Sequence, residues 1–251
     1  MISRIRNTLN NRTLAILAFH KIGNPAPGGW ESWFYIPEET FSSYLRWLYD
    51  HGWQVIDITT FLRSLSKPDT LPEKTALITF DDGYCSVRDI ALPLLQHFGY
   101  PAVLFVPTDY IGRYNTFDNG IEPEEAICDW DCLQELMRHG VSIQSHGASH
   151  RRFSEISPNE QKDELIRSKD ILQNNLGSPV ELMAFPYGDD GMDKERTTEY
   201  LKEAGYQAAC LYGGDPLLLP VAHRYSLTRI AMGPDTNLES ALKMSQTNPG
   251  R

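Results

Sequence analysis

One arrangement recurs five times along this chain: an amphipathic stretch, a glycine, then a short apolar run. It falls at His51-Gly52-Trp53, Phe98-Gly99-Tyr100, His139-Gly140-Val141, Leu176-Gly177-Ser178 and Ala204-Gly205-Tyr206. A glycine directly after a helix adopts the left-handed conformation without a Cβ penalty, so each unit reads as helix, cap, strand. Helices alternating with strands imply a parallel sheet, open or closed into a barrel. Phe41, Tyr44/Leu45 and Leu48 recur at helical spacing ahead of Gly52. Ser157-Pro158-Asn159-Glu160 is a capping box with proline at the first helical position, and its helix should end before Gly177. Strands are expected at Leu14–Phe19, Gln54–Ile58, Thr75–Phe80, Ala102–Val106, Val141–Gln144, Leu182–Phe185 and Gln207–Leu211. The polar stretch Asp109–Ala126 reads as a loop over one end. No low-complexity segment or long linker divides the chain, so residues 1–251 are expected to form a single α/β domain.

Composition narrows the function. A net charge of −10 lacks the clustered basic residues of a nucleic-acid footprint. No apolar run approaches the ~18 residues of a membrane span, so no transmembrane segment is expected. The run Leu14–Phe19 is too short for a secretory leader and ends in His20 rather than at a small-residue cleavage site; it reads as a first strand, and the chain as cytoplasmic. Cys85, Cys128, Cys132 and Cys210 are too few and too scattered for a disulfide framework and are expected to be free thiols.

The chemistry concentrates in two short motifs. Thr79-Phe80-Asp81-Asp82-Gly83 ends one apolar run, and His146-Gly147-Ala148-Ser149-His150 follows another. The i, i+4 spacing is expected to put both imidazoles on one helical face, where they can share a metal. Two neutral imidazoles and one carboxylate suit Zn²⁺, with Co²⁺, Ni²⁺, Mn²⁺ or Fe²⁺ also compatible. The second Asp is then free to act as a base on water. His20, Asp81/Asp82, His146 and Pro186-Tyr187 all fall just past predicted strands, at the end where parallel barrels build their active sites.

Thr79–Gly83, then His-x-x-x-His, then Phe185-Pro186-Tyr187-Gly188 together resemble the polysaccharide deacetylases (NodB homology, carbohydrate esterase family four). The likeness extends from Leu17–His20 to Leu227–Ile230 and is nearest the poly-N-acetylglucosamine deacetylase branch. It implies a distorted (β/α)7 barrel that removes acetyl groups from an N-acetylated oligo- or polysaccharide by metal-activated water. Carried over, it makes Asp82, His146 and His150 the metal ligands and Asp81 the base. Pro186 and Tyr187 become substrate-binding, with the Tyr187 N–H helping to hold the oxyanion. Two departures matter. The family arginine that orients the base is replaced by Ala184, leaving Arg229 or another cation to substitute. The C-terminal histidine that serves many members as general acid is replaced in Leu227-Thr228-Arg229. His20 is then the candidate acid; otherwise Asp81 returns the proton itself. The family's Asp-x-x-Asp-Trp segment has no counterpart, and Trp130 is expected to pack at a helix start. Aromatics near the loops (Trp30, Trp33, Phe34, Tyr35, Tyr110, Tyr114) either stack on sugars or pack the rim. Alternative functions are hydrolysis of a non-carbohydrate amide or cyclic C–N bond on the same site, or glycan binding without catalysis.

Overall fold

The computed structural model describes residues 12–243. The chain opens with strands β1 (Arg12–Phe19), β2 (Lys21–Ile22) and β3 (Tyr35–Ile36), then helix α1 (Glu38–Asp50). Next come β4 (Gln54–Val55), α2 (Ile58–Ser64), β5 (Lys74–Phe80), α3 (Leu92–Phe98) and β6 (Ala102–Val106). Helix α4 (Trp130–Arg138) leads to β7 (Val141–Ser145), and α5 (Pro158–Leu176) to β8 (Leu182–Ala184). The chain finishes with α6 (Lys194–Glu203), β9 (Ala208–Cys210), β10 (Leu217–Leu219), β11 (Ile230–Ala231) and α7 (Leu238–Ala241).

Strands β1, β5, β6, β7, β8 and β9 lie side by side and parallel, in a sheet that curls into a barrel-like half shell. The segment after β10 bridges the two ends of that curl. Leu227 pairs with Cys210 of β9, and Ile230 and Ala231 pair with Leu17 and Ala18 of β1. Arg229 therefore sits in the piece of chain that closes the shell.

The strands are buried on both faces, as a parallel sheet covered by helices requires. Leu14, Ile16, Leu77, Val103 and Phe105 point into an inner cluster with Phe61 and Leu62 of α2. Ala15, Leu17, Phe19, Ile78 and Leu104 pack outward against Phe41 and Leu45 of α1 and Leu133 of α4. Every helix-ending glycine of the repeated unit has a positive φ: Gly52 69°, Gly99 66°, Gly140 89°, Gly177 63° and Gly205 76°. The capping box on α5 is formed, with Ser157 accepting from the Glu160 N–H.

Two expectations are corrected here. The strand from Gln54 stops at Val55, because the Asp57 side chain accepts from the Thr60 N–H and starts α2 at Ile58. Cys128 and Cys132 are not free thiols but are joined as a disulfide, with Cα atoms 5.3 Å apart and Cys85 beside them. Cys128 immediately precedes the α4 cap Asp129 and Cys132 lies in that helix's first turn, so the helix start brings the pair together. Cys85 and Cys210 remain free. Among the described residues, no helix is long and apolar enough to cross a membrane.

Candidate active site

A cavity of about 320 Å³ opens at the C-terminal ends of the parallel strands. Its wall includes His20 after β1, Asp81 and Asp82 after β5, His146 and His150 after β7, and Tyr187 after β8. The strand-end rule thus brings together all but one of the predicted site residues. The exception is Pro186, which is buried within its turn and does not line the cavity.

Asp82 Oδ1 lies 3.2 Å from His146 Nε2 and 3.0 Å from His150 Nε2, with all three side chains buried. That oxygen makes no hydrogen bond of acceptable geometry, so a carboxylate oxygen and two imidazole nitrogens converge on one point. A divalent ion would resolve this, and the donor set suits one. His146 Nδ1 donates to the Ala184 carbonyl at 2.7 Å, which turns Nε2 toward the cluster.

The route to this geometry differs from the expected one. His146 and His150 are not on a helix; the chain leaves β7 in an irregular loop. Gly147 (φ 75°) and His150 (φ 57°) are both left-handed and fold the second imidazole back over the first. Among the described residues, the non-glycine positions with positive φ are Asp82 (69°), His150 and Tyr187 (58°), all at this site. Each such conformation costs of order 1–3 kcal/mol and persists only where surrounding contacts enforce it.

One enforcing contact is Glu164 of α5, buried beneath the loop. It accepts from Ala148 N (2.6 Å), Ser149 N (2.9 Å) and Ser149 Oγ (2.6 Å). Its Oε2 also lies 3.0 Å from where a Cβ on Gly147 would stand, so a side chain there has both a conformational and a steric objection. Glu164→Ala strands one buried and one part-buried N–H group. Zinc titration of that variant should show roughly 10- to 100-fold weaker binding, in line with losing a group that supports metal ligands. Thermal unfolding should show about 1–3 kcal/mol lower stability. Unchanged zinc affinity would mean that the loop holds its own shape.

Arg229, named above as a possible substitute for the arginine absent at Ala184, lies against Asp81. It is fully buried and grips Asp81 with both arms, Nη1 to Oδ1 at 2.6 Å and Nη2 to Oδ2 at 2.7 Å. Nε donates to the Leu211 carbonyl at 2.7 Å and Nη1 also reaches Thr79 Oγ1 at 3.3 Å. Burial pushes the Asp81 carboxyl up, but the guanidinium and His146 outweigh it and hold the group below its ordinary range. His20 Nε2 lies 3.8 Å from Asp81 Oδ2. Desolvation lowers the His20 pKa despite the pull of Asp82 and Asp81, leaving it neutral.

The loop over the barrel end is tied to the rim by polar contacts. Lys21, almost wholly buried, pairs with Glu122 at 2.8 Å and lies over the rings of Tyr35 and Tyr84. The Tyr35 hydroxyl donates to Glu125, and the Tyr187 hydroxyl to Asp118 at 3.1 Å. Of the aromatics considered for sugar stacking, Phe34 lines the cavity and Tyr35 is buried in the rim. Trp30, Trp33 and Tyr114 are largely exposed.

Sequence reasoning missed Lys21, Tyr84, Asp118, Glu122, Arg152 and Tyr212 as cavity residues, and Glu164 beneath it. Lys21 and Tyr212 lie within two residues of a strand end, where the rule that found the others applies equally. The remaining ones come from the loop, a turn or a helix and leave no local signature.

A half-closed α/β shell with two carboxylates and two imidazoles converging at its C-terminal rim is a hydrolase scaffold. Residues 69–209 match the family model described as Polysaccharide deacetylase, and the chain belongs to that family. YxkH of Bacillus subtilis (strain 168) is 28% identical over 196 residues, 77% of this chain and 62% of YxkH. This chain therefore spans less than two thirds of that relative. The poly-beta-1,6-N-acetyl-D-glucosamine N-deacetylase of Staphylococcus epidermidis is 24% identical over 209 residues, 80% of this chain and 68% of that protein. Among solved structures, the Streptococcus pyogenes deacetylase PplD superposes with a TM-score of 0.78 at 21% identity, covering 93% of this chain and 99% of that one. IcaB from Ammonifex degensii gives 0.77 at 22% identity, covering 92% and 96%. At these identities the structural likeness speaks for the fold.

Proposed function

We propose that this protein hydrolyses the acetamide of N-acetylated sugar units in a glycan, releasing acetate and leaving a free amine. The observation that carries the reading is the buried set Asp82, His146 and His150 beside an Asp81 already held by Arg229. Asp82, His146 and His150 would hold a divalent ion, Zn²⁺ first among candidates. When bound, that ion supplies positive charge that polarises the acetamide carbonyl and acidifies water.

The other steps fall to the chain's own groups. Asp81, ionised and fixed by two N–H donors, accepts the proton of the attacking water. The backbone N–H of Tyr187, in its left-handed turn on the cavity wall, donates to the developing oxyanion. The leaving amine needs a proton, and two groups can supply it. Asp81 can return the one it took, or His20, 3.8 Å from Asp81, can relay it. A neutral His20 favours Asp81 as the immediate donor, because the imidazole must first be charged before it can act as an acid. Glycan binding without catalysis drew its support from two departures from the family pattern, and Arg229 now stands against Asp81 where the first of them lay.

The test is acetate release from N-acetylglucosamine oligomers by metal-stripped protein, titrated with Zn²⁺, Co²⁺ and Ni²⁺ beside Asp82→Ala. Metal-restored release that the variant lacks supports the reading. Metal bound without release from glycans, but with turnover of small cyclic amides, would move the substrate to the alternative class. Failure to bind any metal would remove the foundation.

A further inference from the structure

Two short segments meet just past the end of β5. The Cys128 N–H donates to the Gly83 carbonyl at 2.8 Å and the Cys85 N–H to the Ala126 carbonyl at 2.9 Å, with Tyr84 and Ile127 paired between them. Helix α4 begins directly afterwards, and its first turn carries Cys132. The sulfurs of Cys85, Cys128 and Cys132 therefore converge, all within 4.8 Å of one another. Tyr84 lines the active-site cavity, but none of the three cysteines does.

Two of those sulfurs form the disulfide described above, and the third stays a thiol beside it. The bond opens when a small dithiol delivers two electrons and two protons and leaves as its own cyclic disulfide. Cys128 then regains an S–H, and the Tyr84 carbonyl stands 3.7 Å from its sulfur to accept it. Three thiols at one point make a soft donor set, of the kind that selects zinc and copper(I). The Cys-x-x-x-Cys spacing of 128 and 132 is an ordinary one for such ligands. Sulfurs bound tetrahedrally at Zn–S distances of ~2.3 Å stand roughly 3.8 Å apart, inside the 4.8 Å limit that the trio already meets. Cys85 is half-buried, so solvent reaches that side and water can take a fourth position. Burial raises the pKa of the Cys85 thiol, Arg88 pulls it down, and Asp89, Asp129 and Glu125 raise it again. The same three carboxylates favour a cation there.

We infer that the reduced chain holds one thiophilic metal ion, of the zinc or copper(I) type, on Cys85, Cys128 and Cys132, at a site separate from Asp82, His146 and His150. Each thiol gives its proton to solvent as its sulfur takes the metal. The disulfide is the oxidised form of the same site, and closing it withdraws two of the three ligands. Either form ties the chain just past Asp82 to the start of α4. The inference does not rest on the deacetylase reading, since none of these sulfurs lines the cavity.

Cd²⁺ is the probe, because cadmium held by thiolate sulfur absorbs in the near ultraviolet by charge transfer, and cadmium held by carboxylate and imidazole does not. Metal-stripped protein is reduced with a dithiol, freed of it without air and titrated. The band should grow and saturate at one thiolate-bound Cd²⁺ per chain. Oxidised wild type should give no such band. Reduced Cys85→Ser should bind the absorbing ion more weakly by more than the roughly 10- to 100-fold that loss of an outer partner costs. Oxidised Cys85→Ser keeps the Cys128–Cys132 bond and should unfold at the wild-type midpoint, which separates loss of the site from loss of the fold. Reduced Cys132→Ser should lose the band in the same way. No band in the reduced wild type overturns the proposal. So does equal affinity in Cys85→Ser, which would assign the ion to the pair alone, and so does a full band from the oxidised protein.

Discussion

Asp81→Asn should retain one metal per chain and lose about 10²- to 10⁴-fold in turnover, the range of a positioned general base. The asparagine keeps the size of the side chain and one oxygen for Arg229, but it leaves the buried guanidinium without its carboxylate, so the variant should also lose stability and is assayed below its unfolding transition. What disappears is the basic oxygen. The neighbouring Asp82 cannot substitute, because its Oδ1 is directed at His146 and His150. Metal content by elemental analysis, measured alongside acetate release, separates this from loss of the metal site. Asp82→Ala should lose metal and rate together. An Asp81→Asn protein that turned over at more than about a tenth of the wild-type rate would show that Asp81 is not the base.

Arg229→Met should have the largest effect on stability, about 3–5 kcal/mol, because it leaves a buried carboxylate without its partner. The direct comparison is Asp81→Asn/Arg229→Met. With both charges gone, much of the stability should return, and the coupling read from the cycle reports on the pair. pH supplies an independent check on the metal-free protein. In the wild type the folded-state pKa of Asp81 lies below its unfolded value. Its contribution to stability is therefore fully present above the ordinary carboxylate range near ~4, and is lost as pH falls through the depressed value. In Arg229→Met the burial that raises the pKa is less opposed, so the folded protein favours the neutral acid. The stability gap between wild type and variant should accordingly be widest near neutrality and narrow as the solution is acidified. A gap that is constant across pH would mean that Asp81 and Arg229 are not thermodynamically coupled.

The helix-glycine-strand repeat makes the parallel architecture legible in the sequence, because capping and periodicity are local: each depends on a few neighbouring residues and the backbone conformations open to them. The same locality explains why Ser157 and Glu160, or Asp81 and Asp82 past the end of β5, were legible. Strands β10 and β11 were not, since two or three residues carry no periodicity and are strands only because β1 offers them an edge.

The site divides along the same line. Residue types and their order named Asp81, Asp82, His146, His150, His20 and Tyr187, and the family likeness assigned their roles. Only the tertiary structure decided what surrounds and holds those residues. The i, i+4 spacing of the histidines suggested a helix face, yet the bend comes from left-handed Gly147 and His150 with Glu164 holding the loop from a different helix. Ala184 suggested a missing cation, yet Arg229 reaches Asp81 from a segment 148 residues away that closes the curled sheet. Such contacts depend on which strands meet at the seam of the shell. That is settled by the packing of the whole core, and no window of the sequence contains it.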